Sequence, residues 1–297
     1  MSALDLAVWR RGARLVPPVC NKLIHRGQLT VMAVGGPNAR KDFHLQAGAE
    51  FFWQHQGTCQ LPIVEHARRR LVHIPAGHVF LLPPRVPHSP QRSENSFGIV
   101  VERDRAQEEM DVLRWYTDFD RCDTILWEKE FKCTDLGRDL IPVIEEFRNS
   151  EQAQSGSPNI GPTKGSSTLD QDHEVVAGPS FPLQEWLAEN ALSLSLGRDV
   201  PIFSDVASRD IHVAVQGGAS EVEYSDNNAE MWLFQLQGTG HVTFEGSDRD
   251  KSADQCIRVE SGSFITVPRG RPFRVVAVDG RSRILKVHVA AGSNLFS

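Results

Sequence analysis

Glu50-Phe51-Phe52-Trp53-Gln54-His55-Gln56-Gly57, followed by Gly77-His78-Val79-Phe80-Leu81-Leu82-Pro83-Pro84-Arg85-Val86-Pro87-His88, decides the fold, because the chain repeats both. Glu50 stands seven residues before Gly57 with Gln54 between them, and Met231 stands seven before Gly238 with Gln235 between them. Gly77 is six before Pro83, and Gly262 is six before Pro268. His88 and Phe273 each follow their proline by five. A duplication in this register predicts two homologous β-barrels.

Outward from the first copy, the pattern is short strands broken by turns. Leu29 to Val34 is β-rich and stops at Gly35-Gly36-Pro37-Asn38, a dense turn signal. Arg70 to Ile74 alternates, Val79 to Leu82 runs into two prolines, and Phe97 to Val101 is apolar. Many short strands at this spacing predict an antiparallel sandwich or small barrel. Strands return from Ile211, through Met231 to Leu236, Phe264 to Val267 and Ile284 to Val289. Between the copies, Arg105 to Tyr116 has some helical spacing, and Leu136 to Phe147 is amphipathic at three- and four-residue intervals. Gln184 to Leu196 reads as a further helix. Ser150 to Pro179 is polar and rich in Gly, Ser and Pro, which predicts a flexible linker or long loop. The expected organisation is therefore residues 1–150 for a first barrel with its helices, 151–180 for a linker, and 181–297 for a second barrel.

The composition suits a soluble globular chain: 40% hydrophobic, 24% charged, with a formal net charge of -6. That charge argues against nucleic acid, whose phosphates need a basic surface. It leaves room for a small anionic substrate in a locally basic pocket. The five cysteines, Cys20, Cys59, Cys122, Cys133 and Cys256, include no C-x-x-C pair and read as reduced thiols of a cytoplasmic protein. The opening residues lack the apolar run of a signal peptide, and no stretch is long enough for a membrane span.

Three residues of the first copy stand out. His44 and Glu50 are six apart around a turn at Gly48, and His88 follows the Pro84-Arg85-Val86-Pro87 turn. Two imidazoles and one carboxylate leave three positions of a six-coordinate metal open, which is the facial triad of non-haem Fe(II) oxygenases. His55, His66, His73 and His78 lack this register and read as structural or solvated. His55 has the opposite strand parity to Glu50 and should point away from it. The equivalent positions of the second copy are Ser225, Met231 and Phe273, so that copy is expected to bind no metal. Arg40 lies four before His44 and Arg92 four after His88, a parity that puts both cations on the ligands' face. Guanidinium forks suit a substrate carboxylate. Glu102 ends the Gly98-Ile99-Val100-Val101 strand.

The spacing His44-x5-Glu50-x6-Gly57 with Gly77-x5-Pro83-x4-His88 resembles the two cupin motifs. The resemblance implies a mainly β bicupin, two antiparallel double-stranded β-helix (jelly-roll) barrels with a few linking helices. Two departures are visible. Gln46 stands where the motif has its second histidine, and Arg92 stands where an asparagine often follows the last one.

Longer stretches resemble the 3-hydroxyanthranilate 3,4-dioxygenase family. They are Pro17-Pro18-Val19-Cys20-Asn21-Lys22-Leu23, Gly35 to His44, Leu81 to Arg92, Val100-Val101-Glu102-Arg103 and Lys132-Cys133-Thr134-Asp135-Leu136. The likeness is dense over residues 15–150 and thin beyond. It resembles the single-chain, two-barrel eukaryotic members and lacks the C-terminal cysteine-pair iron site of bacterial ones. The resemblance implies Fe(2+), O2 and 3-hydroxyanthranilate, with a product that closes to quinolinate, the precursor of NAD in the kynurenine pathway. It implies iron on His44, Glu50 and His88. Arg40, Arg92, Glu50, Glu102 and Asn21 would contact substrate, Arg40 would also face O2, and Glu102 would accept the proton. Alternatives are a cupin dioxygenase for another carboxylated aminophenol or catechol, a zinc cupin isomerase, and a non-catalytic metal-binding cupin. Two barrels in one chain lead to the expectation of a monomer.

Overall fold

The computed structural model describes residues 2–12, 15, 20–158, 168–204, 210–225, 228–245 and 254–289. Strands dominate it. In the first barrel a six-stranded antiparallel sheet runs in the order Phe181–Pro182, His78–Leu82, Glu50–Gln56, Phe97–Arg103, Leu29–Gly35, Asn21–Arg26. Two three-stranded pieces complete the barrel: Arg68–Pro75, Thr58–Glu65 and Gln91–Arg92 form one, and Ile125–Phe131, Asp111–Tyr116 and Phe43–Leu45 the other. Isolated bridges join them, His44 to His88 and Ile63 to His88. The Glu50–Gln56 strand is buried from Glu50 through Gln54 because partners flank it on both sides and its two faces are covered.

Alternation packs Met32, Phe52, Leu61, Ile74, Phe80 and Val100 into one interior cluster. The helix Leu136–Arg148 begins where the Asp135 side chain accepts a hydrogen bond from the Arg138 N–H. It buries Leu140, Val143 and Ile144 against Leu113, Trp115 and Phe131, with Phe147 stacked on Trp115 at 4.1 Å. Each such buried side chain contributes about 2 kcal/mol.

The second barrel repeats the plan. One sheet has the order Leu4–Asp5, Ser263–Val267, Met231–Gln237, Arg283–Val289, Ile211–Gly217, Asp199–Pro201. The other has the order Ser220–Tyr224, Phe273–Ala277, Thr239–Phe244, Gln255–Glu260. The duplication reaches single bonds. Gln54 Nε2 donates to the Gln56 carbonyl at 2.8 Å, and Gln235 Nε2 to the Gln237 carbonyl at 2.7 Å. Gly57 (φ 65°) and Gly238 (φ 70°) make the same left-handed turn. A Cβ on Gly57 would lie 2.9 Å from the Ser96 backbone.

Several expectations are corrected. Arg105 to Tyr116 is not helical: Asp111–Tyr116 is a strand, paired with Ile125–Phe131 on one side and Phe43–Leu45 on the other. Strand neighbours on both sides outweigh a weak helical spacing. The helix expected from Gln184 to Leu196 is two, Leu183–Glu189 and Ala191–Ser195, parted at Asn190.

The segment read as a flexible linker is ordered over its described part. Residues 151–155 form a helix capped by Ser150. Beyond it, Gln171 Nε2 donates to the Val64 carbonyl at 3.0 Å, and Arg85 pairs with Asp172 at 2.9 Å. The Ala177 N–H donates to Glu65 at 2.6 Å, and its methyl joins the first barrel's interior cluster. Composition counts polar residues but does not show which acceptors their backbone will find; residues 159–167 of this segment lie outside the described residues. The described residues divide into two compact units, one within 15–24 and 31–182, the other within 2–12, 25–30 and 183–289.

Candidate metal centre

The first barrel's triad is built by backbone pairing. The His44 N–H donates to the His88 carbonyl at 2.8 Å, and the His88 N–H returns to the His44 carbonyl at 2.9 Å. A residue pair exchanging both bonds carries its side chains on one face. The rings lie 5.2 Å apart, edge to face. Glu50 arrives from the opposing sheet. One donor atom from each of His44, Glu50 and His88 lies within 4.8 Å of the others, and all three residues are buried.

These residues fit a metal ion. His88 Nε2 is 2.9 Å from Glu50 Oε1, yet that buried oxygen receives no well-oriented hydrogen bond among the described residues. Such an atom is costly unless an ion or ligand meets it. Burial pushes the Glu50 carboxyl up, but His88, His44 and Arg105 outweigh it and hold the group below the usual carboxylate range. His88 fixes its other ring nitrogen on the Val86 carbonyl at 3.1 Å.

The triad lies on the wall of a cavity of about 470 Å3, open to solvent. Arg40, Arg92, Asn21 and Asn38 supply its other polar groups, and Phe52, Leu136 and Leu140 some of its apolar wall. Arg92 is buried, and its Nε has no hydrogen-bond partner among the described residues. Arg40 is held by Asp42, whose carboxylate accepts from Arg40 Nε at 2.9 and 3.1 Å. Asn21 Nδ2 lies 3.8 Å from the Met32 sulfur.

Glu102 pairs directly across the sheet with Glu50 but is not part of the cavity wall. It accepts from Gln46 Nε2 at 3.0 Å and pairs with Arg105. Burial pushes its carboxyl up, Arg105 opposes this, and neighbouring Glu50 adds to the rise; the net direction is upward. The His55 ring lies tilted against Trp53, centroids 4.0 Å apart, and is absent from the cavity, as strand parity predicted.

Sequence reasoning missed Asn38, Asp42, Arg105 and Asp111. Asn38 has a buried Oδ1 without a partner among the described residues and exchanges backbone bonds with Arg92. Its parity with Arg40 and His44 was the available signal. Asp111 is fully buried and meets His44 Nε2 at 2.7 Å across 67 residues, a contact with no local signature.

Among its described residues the second barrel has no such set. Tyr224, rather than the expected Ser225, pairs opposite Phe273 as His44 pairs opposite His88. Met231 and Phe273 are buried in an apolar cluster. Among the described residues His44, Glu50 and His88 are the only clustered potential metal ligands.

Fold and site together define a two-barrel cupin with one buried His–Glu–His metal centre. Known proteins narrow this. The profile of the 3-hydroxyanthranilic acid dioxygenase family matches residues 1–148. The 3-hydroxyanthranilate 3,4-dioxygenase of Bos taurus is 40% identical over 88% of this chain and 89% of its own length. That of Xenopus laevis is 38% identical over 89% of both chains. Among solved structures, a cupin 2 conserved barrel domain protein from Leptotrichia buccalis aligns over 98% of both chains at 10% identity and a TM-score of 0.49. The chain belongs to the 3-hydroxyanthranilic acid dioxygenase family. No helix among the described residues is long and apolar enough to cross a membrane.

Proposed function

We propose that this protein is an Fe(II)-dependent ring-cleaving dioxygenase that converts 3-hydroxyanthranilate and O2 to 2-amino-3-carboxymuconate semialdehyde, acting as a cytosolic monomer. One observation carries the reading. Two imidazoles and a carboxylate converge on a cavity that also presents a buried arginine whose Nε has no hydrogen-bond partner among the described residues. The names of the relatives supply the substrate. Free cysteines, four of them buried, agree with a reducing compartment.

His44, Glu50 and His88 would hold the iron, which when bound would supply the Lewis-acid and redox chemistry of ring opening. Arg92 donates to the substrate carboxylate, with Arg40 beside it at the cavity wall and facing O2. A guanidinium–carboxylate contact fixes the ring's orientation as well as its affinity. Asn21 and the Phe52, Leu136 and Leu140 side chains enclose the ring. Glu102, which lies outside the cavity wall but pairs across the sheet with Glu50, takes from the family resemblance the role of accepting a proton released by the ring hydroxyl or amine. Both atoms of O2 enter the product.

The test is anaerobic loading with Fe(II), addition of 3-hydroxyanthranilate and air, and simultaneous recording of the ultraviolet spectrum and O2 uptake. Product formation equal to O2 uptake, absent in His44→Ala, is expected. No turnover by protein with full iron would remove the substrate assignment.

A further inference from the structure

The geometry points to Asp111 and Arg105 as positioning residues that lock the metal ligand His44 and the proton acceptor Glu102 into one buried assembly. The Asp111 carboxylate takes His44 Nε2 at 2.7 Å. The same carboxylate accepts from Arg105 Nη2 at 2.8 Å and Nε at 3.1 Å. Arg105 then reaches Glu102 Oε1 and Gln46 Oε1, and Gln46 Nε2 closes the ring onto Glu102 Oε2 at 3.0 Å. Asp111 is 0% exposed, so water does not compete for these bonds.

The network has a clear chemical logic. An ionised carboxylate has about four acceptor sites, and here His44 and the Arg105 fork fill three of them. The Asp111 carboxylate is matched in charge by the Arg105 guanidinium at 2.8 Å. Its negative charge orients one ring nitrogen of His44 and leaves the other for a metal, the arrangement in which a carboxylate raises a ligand's basicity. Arg105 is placed by its own loop. Arg103 forks onto Glu109 at 2.6 and 2.7 Å, and the Ala106 N–H donates to the same carboxylate at 2.8 Å. Gln46, where the cupin motif has a further histidine, binds the network instead of supplying a ligand.

The inference rests on His44 being a metal ligand, so the experiment carries that control. Fe(II) affinity is measured anaerobically by chelator competition, beside the unfolding midpoint of the metal-free protein. For Asp111→Asn, the expected result is a loss of about 10- to 100-fold in Fe(II) affinity, with kcat depressed at saturating iron. Native affinity in this variant with only a lower unfolding midpoint would make Asp111 structural and overturn the proposal. Should the single variant fail to fold, Asp111→Asn with Arg105→Gln removes both buried charges, and native Fe(II) affinity there overturns it equally. Nitrogen NMR of the Zn(II)-substituted wild type adds a readout independent of variants. A slowly exchanging ring N–H assigned to His44 is expected, and its absence overturns the proposal. Native Fe(II) affinity in His44→Ala would instead sink the assignment of the metal centre.

Discussion

The two barrels share a backbone and differ in what fills them. In the first, Glu50 pairs across the sheet with Leu82 and Glu102; in the second, Met231 takes the same place between Val267 and His288. His44 opposite His88 becomes Tyr224 opposite Phe273, stacked at 4.5 Å. The glycine turns and glutamine clasps are kept in both. A barrel frame therefore places side chains but does not make a site. Among the described residues, Glu50 Oε1 and Arg92 Nε of the first interior lack hydrogen-bond partners beside a cavity, whereas Met231 and Phe273 of the second lie in an apolar cluster. Even its buried Lys286 is matched internally, by Asp199 and by Tyr224 at 2.8 Å.

Exchanging the equivalent residues tests this contrast most strongly. Glu50→Met should abolish iron retention and lower kcat/KM on the order of 10³-fold, several kcal/mol of lost metal stabilisation. Iron content and steady-state turnover measure it; turnover within tenfold of wild type would break the contrast. The reverse change, Met231→Glu, should create no site and destabilise the chain by about 3 kcal/mol, because a carboxylate is buried without a partner cation. Urea unfolding with metal analysis reports both, and a stable variant that binds iron would contradict the account.

Within the first barrel, Glu102→Gln should retain iron and substrate binding while kcat falls on the order of 10²-fold. Loss of iron from that variant would reassign Glu102 to the ligand scaffold. Arg92→Gln should weaken substrate binding by about 2 kcal/mol, roughly 30-fold in KM, the worth of a hydrogen bond to a charged group. An unchanged KM would move the carboxylate contact elsewhere.

The smallest effect falls in the second barrel. Burial, with His212 adding to it, holds the His288 imidazole below its ordinary value. The group is then neutral when folded and charged when unfolded at mildly acid pH. Its contribution is intact above the unfolded pKa of about 6.5 and is lost as pH falls below that toward the folded value. Thermal unfolding between pH 7 and pH 5 should show a smaller acid loss in His288→Gln than in wild type. Equal losses would remove His288 from the account.

The metal centre was legible because its signals are local. Strand parity and turn spacing carry Glu50, His88 and their glycines, and the repeat at Met231 and Phe273 exposes the same register without the ligands. The strand at Asp111–Tyr116, where helical spacing was expected, and the contacts of the segment around Ala177 were not legible. Asp111 is buried and meets His44 across 67 residues, and Ala177 hangs on Glu65 across 112 residues. The exchange of Ser225 for Tyr224 is a one-residue slip, which in a strand decides which side chain faces the interior.

By itself the sequence determined two barrels and the register that puts His44, Glu50 and His88 together with arginines near them, because a period of two and fixed turns act over a few residues. Only the tertiary structure decided that Glu102 is reached through Arg105, that Asp111 holds His44, and that a polar-rich segment lies fixed on the first barrel. Those contacts depend on which distant strands become neighbours, and burial strengthens each one by excluding water from it.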